Sequence, residues 1–216
     1  MMLDSYLTVN QEGSSELMIQ KSRFIGYVRR TETEEAAQQF IESIKKKHYD
    51  ATHNCSAYII GQHDQIQKAN DDGEPSGTAG IPILEVLKKQ QLKHTAVVIT
   101  RYFGGIKLGA GGLIRAYGKA TSQAIQATGI IKRQLVQGFT VTVDYTHMGK
   151  LENELRNSDY ILQATDYQEQ VSFFVYVKNG EEDTFKKWMT DLTNAEAHIK
   201  TCDQTYIDIN ITSPSK

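Results

Sequence analysis

The chain has 216 residues, of which 39% are hydrophobic and 23% charged, as in globular proteins rather than disordered or fibrous ones. Its formal net charge of −2 at pH 7 predicts no strong general attraction to nucleic acid or acidic membranes. Two cysteines, Cys55 and Cys202, are too few for a disulfide scaffold or a four-cysteine zinc site, so we expect a reducing, cytoplasmic setting. The first ten residues do not resemble a signal peptide and no apolar run could span a bilayer, so we expect no membrane partner.

Charge and glycine are distributed unevenly along the chain. Residues 1–135 hold 17 basic and 13 acidic residues, a net charge of +4, whereas residues 136–216 hold 7 and 13, a net charge of −6. Nine of the 16 glycines lie between Gly73 and Gly118. These shifts in composition predict two domains, residues 1–135 and residues 136–216, joined without a long linker.

The first elements alternate between strand and helix. Ser22–Arg30 has the pattern of a strand, and Thr31 stands at capping-box spacing from Glu34 at the start of an amphipathic helix. Asn54 to Ile60 is a second strand, on which Cys55 shares the apolar face. We therefore expect Cys55 to be a buried structural thiol rather than a nucleophile paired with a histidine.

An acidic loop follows at residues 71–80. It contains three carboxylates and two hydroxyls, those of Asp71, Asp72, Glu74, Ser76 and Thr78. Carboxylates can hold a cation or act as acid and base, but their spacing misses the calcium-loop pattern. Ser76 and Thr78 are better interpreted as N-caps of the next helix, and the rest as turn residues. Contact with a ligand or partner stays open as an alternative, because loops often carry function.

A second loop, rich in glycine, joins the buried strand Thr95–Phe103 to a helix that runs from about residue 111 to Thr128 and ends at Gly129. Unpaired amides and the positive end of the dipole make such a helix start a site for anions. The residues predicted to bind an anion or nucleic acid here are Arg101, Gly104, Gly105, Lys107, Gly109, Gly111, Gly112, Arg115 and Lys119. The alternative is that the glycines serve only tight turns and close packing. The loop matches neither a Walker A motif nor the dinucleotide-binding pattern.

The second region has the order strand, helix, strand, strand, helix, strand. Phe139, Val141, Val143 and Tyr145 alternate with polar residues, and Ile207, Ile209 and Ile211 do so in the last strand. This order is that of a ferredoxin-like βαββαβ domain. The six histidines have no metal-ligand spacing, so we predict neither a metal nor a cofactor.

Three segments carry a family resemblance: Asp71-Asp-Gly-Glu-Pro-Ser-Gly-Thr-Ala-Gly80, Arg101-Tyr-Phe-Gly-Gly105 and Leu108-Gly-Ala-Gly-Gly-Leu-Ile-Arg-Ala-Tyr117. The chain resembles the YigZ/IMPACT family over most of residues 15–130. The resemblance implies an α+β protein: a first domain like domain 2 of ribosomal protein S5, then a ferredoxin-like domain similar to domain V of elongation factor G. It supplies no catalytic residues to carry over, so none is predicted.

The resemblance also implies a cytosolic, non-enzymatic factor tied to translation or RNA. We therefore expect RNA or the ribosome as the partner of the basic first domain, and a protein as a possible partner of the acidic second domain. Two alternatives stay open. The glycine loop is similar to that of the GHMP small-molecule kinases, which implies an enzyme or binder acting on a nucleotide or phosphorylated metabolite, and the chain could instead be a regulator that binds only proteins.

Overall fold

The computed structural model describes residues 2–211; Met1 and residues 212–216, at the ends of the two predicted domains, lie outside the described residues. The chain divides into two compact units. The first comprises the chain up to Lys132 together with residues from Ile209, and the second comprises Arg133–Asp208. Within residues 2–211, no helix has the length and apolar character needed to cross a membrane.

The first unit contains a five-stranded antiparallel sheet in the order β2-β3-β6-β4-β5. Its elements are β1 (Ser5–Val9), β2 (Glu12–Ile19), β3 (Ser22–Arg30), α1 (Glu34–Lys47), β4 (His53–Ile60), β5 (Ile66–Asn70), α2 (Gly80–Lys89), β6 (Thr95–Tyr102) and α3 (Ala110–Thr128). The central strands β3, β4 and β6 are buried almost continuously because helices cover both faces of the sheet.

Two apolar clusters sandwich this sheet. On one face, Phe40 and Ile44 of α1 pack against Tyr58 and Val98. On the other face, α2 and α3 pack against the strand residues of opposite parity, including Cys55, which is buried as expected. Alternate residues of one strand thus serve different clusters, which follows from the two-residue period of a strand.

Helix α1 begins two residues later than the capping-box prediction. The N-cap is Thr33, whose Oγ1 accepts a hydrogen bond from the backbone N–H of Ala36 at 3.1 Å. Thr31 is instead 3% exposed, and its own N–H donates to the carbonyl of His94 at 2.8 Å. The prediction that Thr31 caps the helix is therefore wrong, because Thr31 is buried and bonded to His94 before the helix begins.

The second unit has the predicted order of strand, helix, strand, strand, helix, strand. Its elements are β7 (Ile130–Val143), α4 (Tyr145–Arg156), β8 (Ile161–Tyr167), β9 (Val171–Lys178), α5 (Glu182–Leu192) and β10 (His198–Asn210), with β7 and β10 continuing beyond the unit's limits. Strand β9 lies between β7 and β8, and β10 pairs with β7. Both helices contribute to one apolar cluster with Phe173 and Val175. The α+β prediction is confirmed, with a ferredoxin-like second unit.

Candidate functional site

The acidic loop and the glycine loop meet at one end of the first sheet. His53 at the start of β4 stands opposite Arg101 near the end of β6 in the antiparallel register. The glycine loop leaves β6 directly after this point, and the acidic loop is attached to the start of β4 through Asp72, as described below. Helices α2 and α3 therefore both begin at this end, so their positive dipole ends are close to the same surface.

Asp71 closes the N-terminus of α2. Its carboxylate accepts hydrogen bonds from the backbone N–H groups of Gly77 at 2.8 Å, Ala79 at 3.0 Å and Gly80 at 2.8 Å. Burial raises the pKa of Asp71, but these three bonds outweigh it and hold the pKa below its ordinary value. The N–H groups of Ala79 and Gly80, at the start of α2, are thus already satisfied by a carboxylate of the chain.

The two hydroxyl residues of the acidic loop have other roles than the predicted ones. The N-cap position of α2 is Ala79, and no side chain caps the helix from that position. Thr78 is 5% exposed, and its Oγ1 donates to the carbonyl of Pro75 at 2.6 Å, while Ser76 is exposed. The prediction that Ser76 or Thr78 caps α2 is therefore wrong, because Asp71 performs this task from outside the helix.

Asp72 attaches the acidic loop to both β4 and α1. Its Oδ2 accepts from the backbone N–H of Asn54 at 2.7 Å, and its Oδ1 accepts from Lys45 Nζ at 2.8 Å. Burial raises the pKa of Asp72, but the hydrogen bonds from Lys45 and from the Asn54 amide lower it by more. The pKa of Asp72 is therefore below its ordinary value. Lys45, in the last turn of α1, thus has a defined partner.

Glu74 lies at the centre of a buried polar cluster. Its Oε1 accepts from Arg101 Nη1 at 2.6 Å and from Tyr117 Oη at 2.8 Å. The side chains of Glu74 and Arg101 are only 3% and 6% exposed. The sequence predicts that Arg101 supplies charge to an external anion, but its guanidinium is buried against Glu74, so it links the acidic loop to β6 instead.

Cys55 and His53 border the same cluster. The Cys55 Sγ lies 3.0 Å from the carbonyl oxygen of Asp71 and 3.3 Å from Tyr117 Oη, and burial raises the pKa of this thiol to about 12.

His53 Nδ1 lies 2.8 Å from the carbonyl of Asp72, so it carries the ring proton, and Nε2 is 3.9 Å from Glu74 Oε2. Within residues 2–211, no three His, Cys, Asp or Glu residues are placed to hold a metal ion. Sequence reasoning missed His53 because its partner is a carbonyl of a distant loop.

The glycine loop leaves the N-terminus of α3 open. The N-cap residue, Gly109, has a φ of 70°, a conformation that favours glycine, and no side chain caps the helix. The first turn contains no acidic residue. At the start of the loop, a Cβ on Gly104 would overlap the backbone of Lys21, so glycine is required there for the close approach of the β2–β3 turn.

Three of the four predicted cations are exposed on the glycine loop and α3: Lys107 lies before the helix start, and Arg115 and Lys119 lie one and two turns further along the helix. Lys107, Arg115 and Lys119 are exposed, and none of them forms an ion pair within the part of the chain that the structure describes. A Cβ on Gly111 would meet only Arg115 Nη1, at 3.6 Å, which places that guanidinium beside the first helical turn. No Asp or Glu occurs in the sequence between Glu85 and Asp144, a stretch that carries nine Lys and Arg residues.

Comparisons with known proteins agree with the two-unit structure. Residues 20–125 match the family model described as Impact N-terminal domain, and residues 141–196 match one described as Domain of unknown function (DUF1949). The chain is 56% identical over 207 residues to IMPACT family member YvyE of Bacillus subtilis, covering 96% of this chain and 95% of that protein. It is 34% identical to IMPACT family member YigZ of Escherichia coli over 183 residues, covering 84% and 90% of the two chains.

A solved structure extends this agreement to the fold. A crystal structure described as that of a hypothetical protein has a TM-score of 0.60 and 32% sequence identity, covering 92% of this chain and 97% of that one. The family resemblance stated from the motifs of the two loops is therefore confirmed across both units: this chain belongs to the IMPACT family.

Proposed function

We propose that this chain is a non-enzymatic, translation-associated regulator that binds the phosphate backbone of RNA, free or in the ribosome. The binding surface is the glycine-loop face, defined as Gly104, Gly105, Lys107, Gly109, Gly111, Gly112, Arg115 and Lys119. The tie to translation rests on the family resemblance. The observation that carries the phosphate ligand is the open N-terminus of α3 together with three exposed cations, Lys107 before the helix and Arg115 and Lys119 along it.

The contrast between the two helix starts supports a ligand from outside the chain. Helices α2 and α3 begin at the same end of the sheet, but only α2 receives a carboxylate, that of Asp71. A phosphate at α3 would meet unpaired N–H groups, the positive dipole end and the side chains of Lys107 and Arg115. The sequence from residue 86 to residue 143, which includes the glycine loop and α3, contains no Asp or Glu.

Salt-dependent RNA binding tests this proposal. We expect the double substitution Arg115→Ala with Lys119→Ala to weaken binding and to make the slope of log K against log salt shallower by roughly one to two. Each phosphate contact contributes about 0.7 to 0.9 to that slope.

The matched control removes the same charge from the end of α2. Lys88→Ala with Lys89→Ala changes two exposed lysines of the last turn of α2, and it should leave affinity and slope unchanged. If wild-type protein binds neither RNA nor ribosomes at low salt, the proposal is wrong. If both double variants weaken binding equally, the site lies elsewhere.

A nucleotide or phosphorylated metabolite is the second candidate ligand, because the open helix start would also accept a terminal phosphate. In that case nucleotide should raise the unfolding temperature, since a ligand that binds only the folded chain stabilises it. A protein partner of the acidic second unit would instead co-purify with the chain after nuclease treatment. We expect neither stabilisation by nucleotide nor a protein that co-purifies after nuclease treatment.

A further inference from the structure

Exposed aromatic rings border the glycine-loop face. Three turns meet where β6 ends: the Phe103 N–H donates to Thr52 Oγ1 at 2.9 Å, and the Gly104 N–H donates to Ser22 Oγ at 3.2 Å. The turn after α1, the β2–β3 turn and the glycine loop are thereby joined. Phe103 and Tyr49, which the phosphate-binding proposal does not use, lie on two of these joined segments.

The Phe103 ring is supported by Arg101 on one side and remains accessible to solvent. The Arg101 guanidinium lies 5.5 Å from the centroid of the Phe103 ring and 5.4 Å from that of Phe24. Arg101 is itself fixed by the 2.6 Å ion pair with Glu74. Phe103 nevertheless remains 46% exposed. A ring supported from the interior and open to solvent loses little conformational entropy when a flat ligand stacks on it.

Tyr49 projects from a turn that a hydrogen-bond chain holds in place. Tyr102 Oη donates to Asp50 Oδ1 at 3.1 Å, so it accepts from His48 Nδ1 at 2.9 Å. The remaining His48 nitrogen, Nε2, therefore accepts from Tyr27 Oη at 2.7 Å. Both chain neighbours of Tyr49 are thus anchored to the sheet, while Tyr49 is 86% exposed.

Lysines lie on the same segments as these rings, although the Asp50 carboxylate is next to Tyr49. Lys46 and Lys47, separated from Tyr49 by His48, are exposed. Lys21 is exposed in the β2–β3 turn, and Lys107 follows Phe103 in the glycine loop. Aromatic rings interspersed with lysines are typical of surfaces that bind single-stranded nucleic acid, where bases stack and lysines follow the backbone. In a duplex the base faces are already stacked on one another and cannot use such rings.

We propose that Phe103 and Tyr49 are stacking sites for unpaired bases, so that the ligand of the glycine-loop face is single-stranded RNA rather than a duplex. This inference rests on the proposed function, because it assigns the bases of the same strand whose phosphates the open helix start receives. The rings supply affinity for unpaired bases without sequence preference, since every base has a flat face.

The test compares a single-stranded RNA of about 12 nucleotides, within the span of typical single-strand sites, with the same strand paired to its complement. We expect Phe103→Ala and Tyr49→Ala each to lower single-strand affinity about tenfold, a loss of about 1.4 kcal/mol within the range for one stacked base. Duplex affinity should change less than twofold. Tyr49→Phe keeps the ring and should retain wild-type affinity.

Phe103→Leu guards against an effect of folding, because it keeps an apolar side chain beside Arg101 but removes the aromatic ring; it should behave like Phe103→Ala. Equal losses for both RNAs, or unchanged single-strand affinity in the ring variants while Arg115→Ala with Lys119→Ala still weakens it, would overturn stacking but leave phosphate binding intact. Wild-type protein that binds neither RNA would overturn both proposals.

Discussion

At the residue scale, the chain uses a buried ion pair to connect its two characteristic loops. Glu74 belongs to the acidic loop, Arg101 to the end of β6 and Tyr117 to α3, and one carboxylate oxygen bonds to both partners. A buried charge is tolerated only when it is paired and hydrogen-bonded. Removing one member would leave the others without that compensation, so the cluster makes the position of each loop depend on the other.

We expect Glu74→Ala to lower the free energy of unfolding by about 3 to 5 kcal/mol, because it leaves the Arg101 guanidinium buried and unpaired. Urea denaturation measures this change. The control is Glu16→Ala, which removes the partner of Arg23 from an ion pair whose side chains are both 47% exposed. Solvent screens that pair, so the control should have a midpoint close to wild type. Equal midpoints for the two variants would contradict a structural role for Glu74.

At the element scale, the two helix starts at the end of the sheet differ in how their amides are satisfied. Helix α2 is closed by Asp71, which lies in the loop ahead of it, whereas α3 begins at Gly109 with no side-chain cap. Ordinarily each helix start needs four acceptors for its free N–H groups. Asp71 accepts from the N–H groups of Ala79 and Gly80 at the start of α2, whereas the exposed start of α3 is where we propose that the ligand binds.

Asp71→Asn should lower the free energy of unfolding at neutral pH by about 1 to 2 kcal/mol. The amide keeps one accepting oxygen but loses the negative charge at the positive end of the helix dipole and the hydrogen bond from Gly77 to Oδ2. The folded pKa of Asp71 lies below its ordinary value of 3.8, so its stabilisation is fully present above that pH and is lost as pH falls through the folded pKa. The difference between wild type and Asp71→Asn should therefore be constant from about pH 7 to about pH 5 and shrink below about pH 4.

Denaturation curves recorded across this pH range provide the measurement. Ser76→Ala is the matched control in the same loop, because Ser76 is exposed and does not cap α2. A loss in Ser76→Ala as large as in Asp71→Asn would restore the capping role that the sequence suggested for Ser76.

At the scale of the whole molecule, each compact unit has its own apolar core. The first unit contains two clusters, one on each face of its sheet, and the second contains a single cluster around Phe173. Trp188, the single tryptophan of the chain, packs against the second unit's cluster with its ring 5.3 Å from that of Tyr160. Tryptophan fluorescence therefore reports on the second unit.

Phe173→Ala should lower the midpoint of the fluorescence transition, because truncating a fully buried phenylalanine costs about 3 to 5 kcal/mol. RNA affinity, measured well below that midpoint, should stay at the wild-type value, since all proposed contacts belong to the first unit. Phe24→Ala, which opens a cavity in the first unit, is the opposite control: it should weaken RNA binding and leave the fluorescence transition in place. Loss of RNA binding in Phe173→Ala would assign part of the site to the second unit.

Helix ends show where local sequence was insufficient. In Thr31-Glu32-Thr33-Glu34, either threonine could cap α1. Thr33 is the cap in the structure, because the N–H of Thr31 pairs with His94, which is distant in sequence. Likewise α2 is capped by Asp71, eight residues before Ala79, and only the folding of the intervening loop brings its carboxylate to the helix. Caps supplied from outside the helix leave no fixed spacing to recognise.

The sequence by itself determined the α+β class, the order of strands and helices in the second unit, the buried position of Cys55 and the family. These depend on periodicity and on contiguous motifs, which are local properties of the chain. It also located both loops but counted Arg101 with Lys107, Arg115 and Lys119, since all four are cations of the same segment. Only the tertiary structure decided which charges are used internally: Arg101 pairs with a glutamate 27 positions away, while the other three remain exposed. The sequence shows which side chains are charged. Whether a charged side chain is free to contact a ligand depends on its burial and on the partners that folding brings to it.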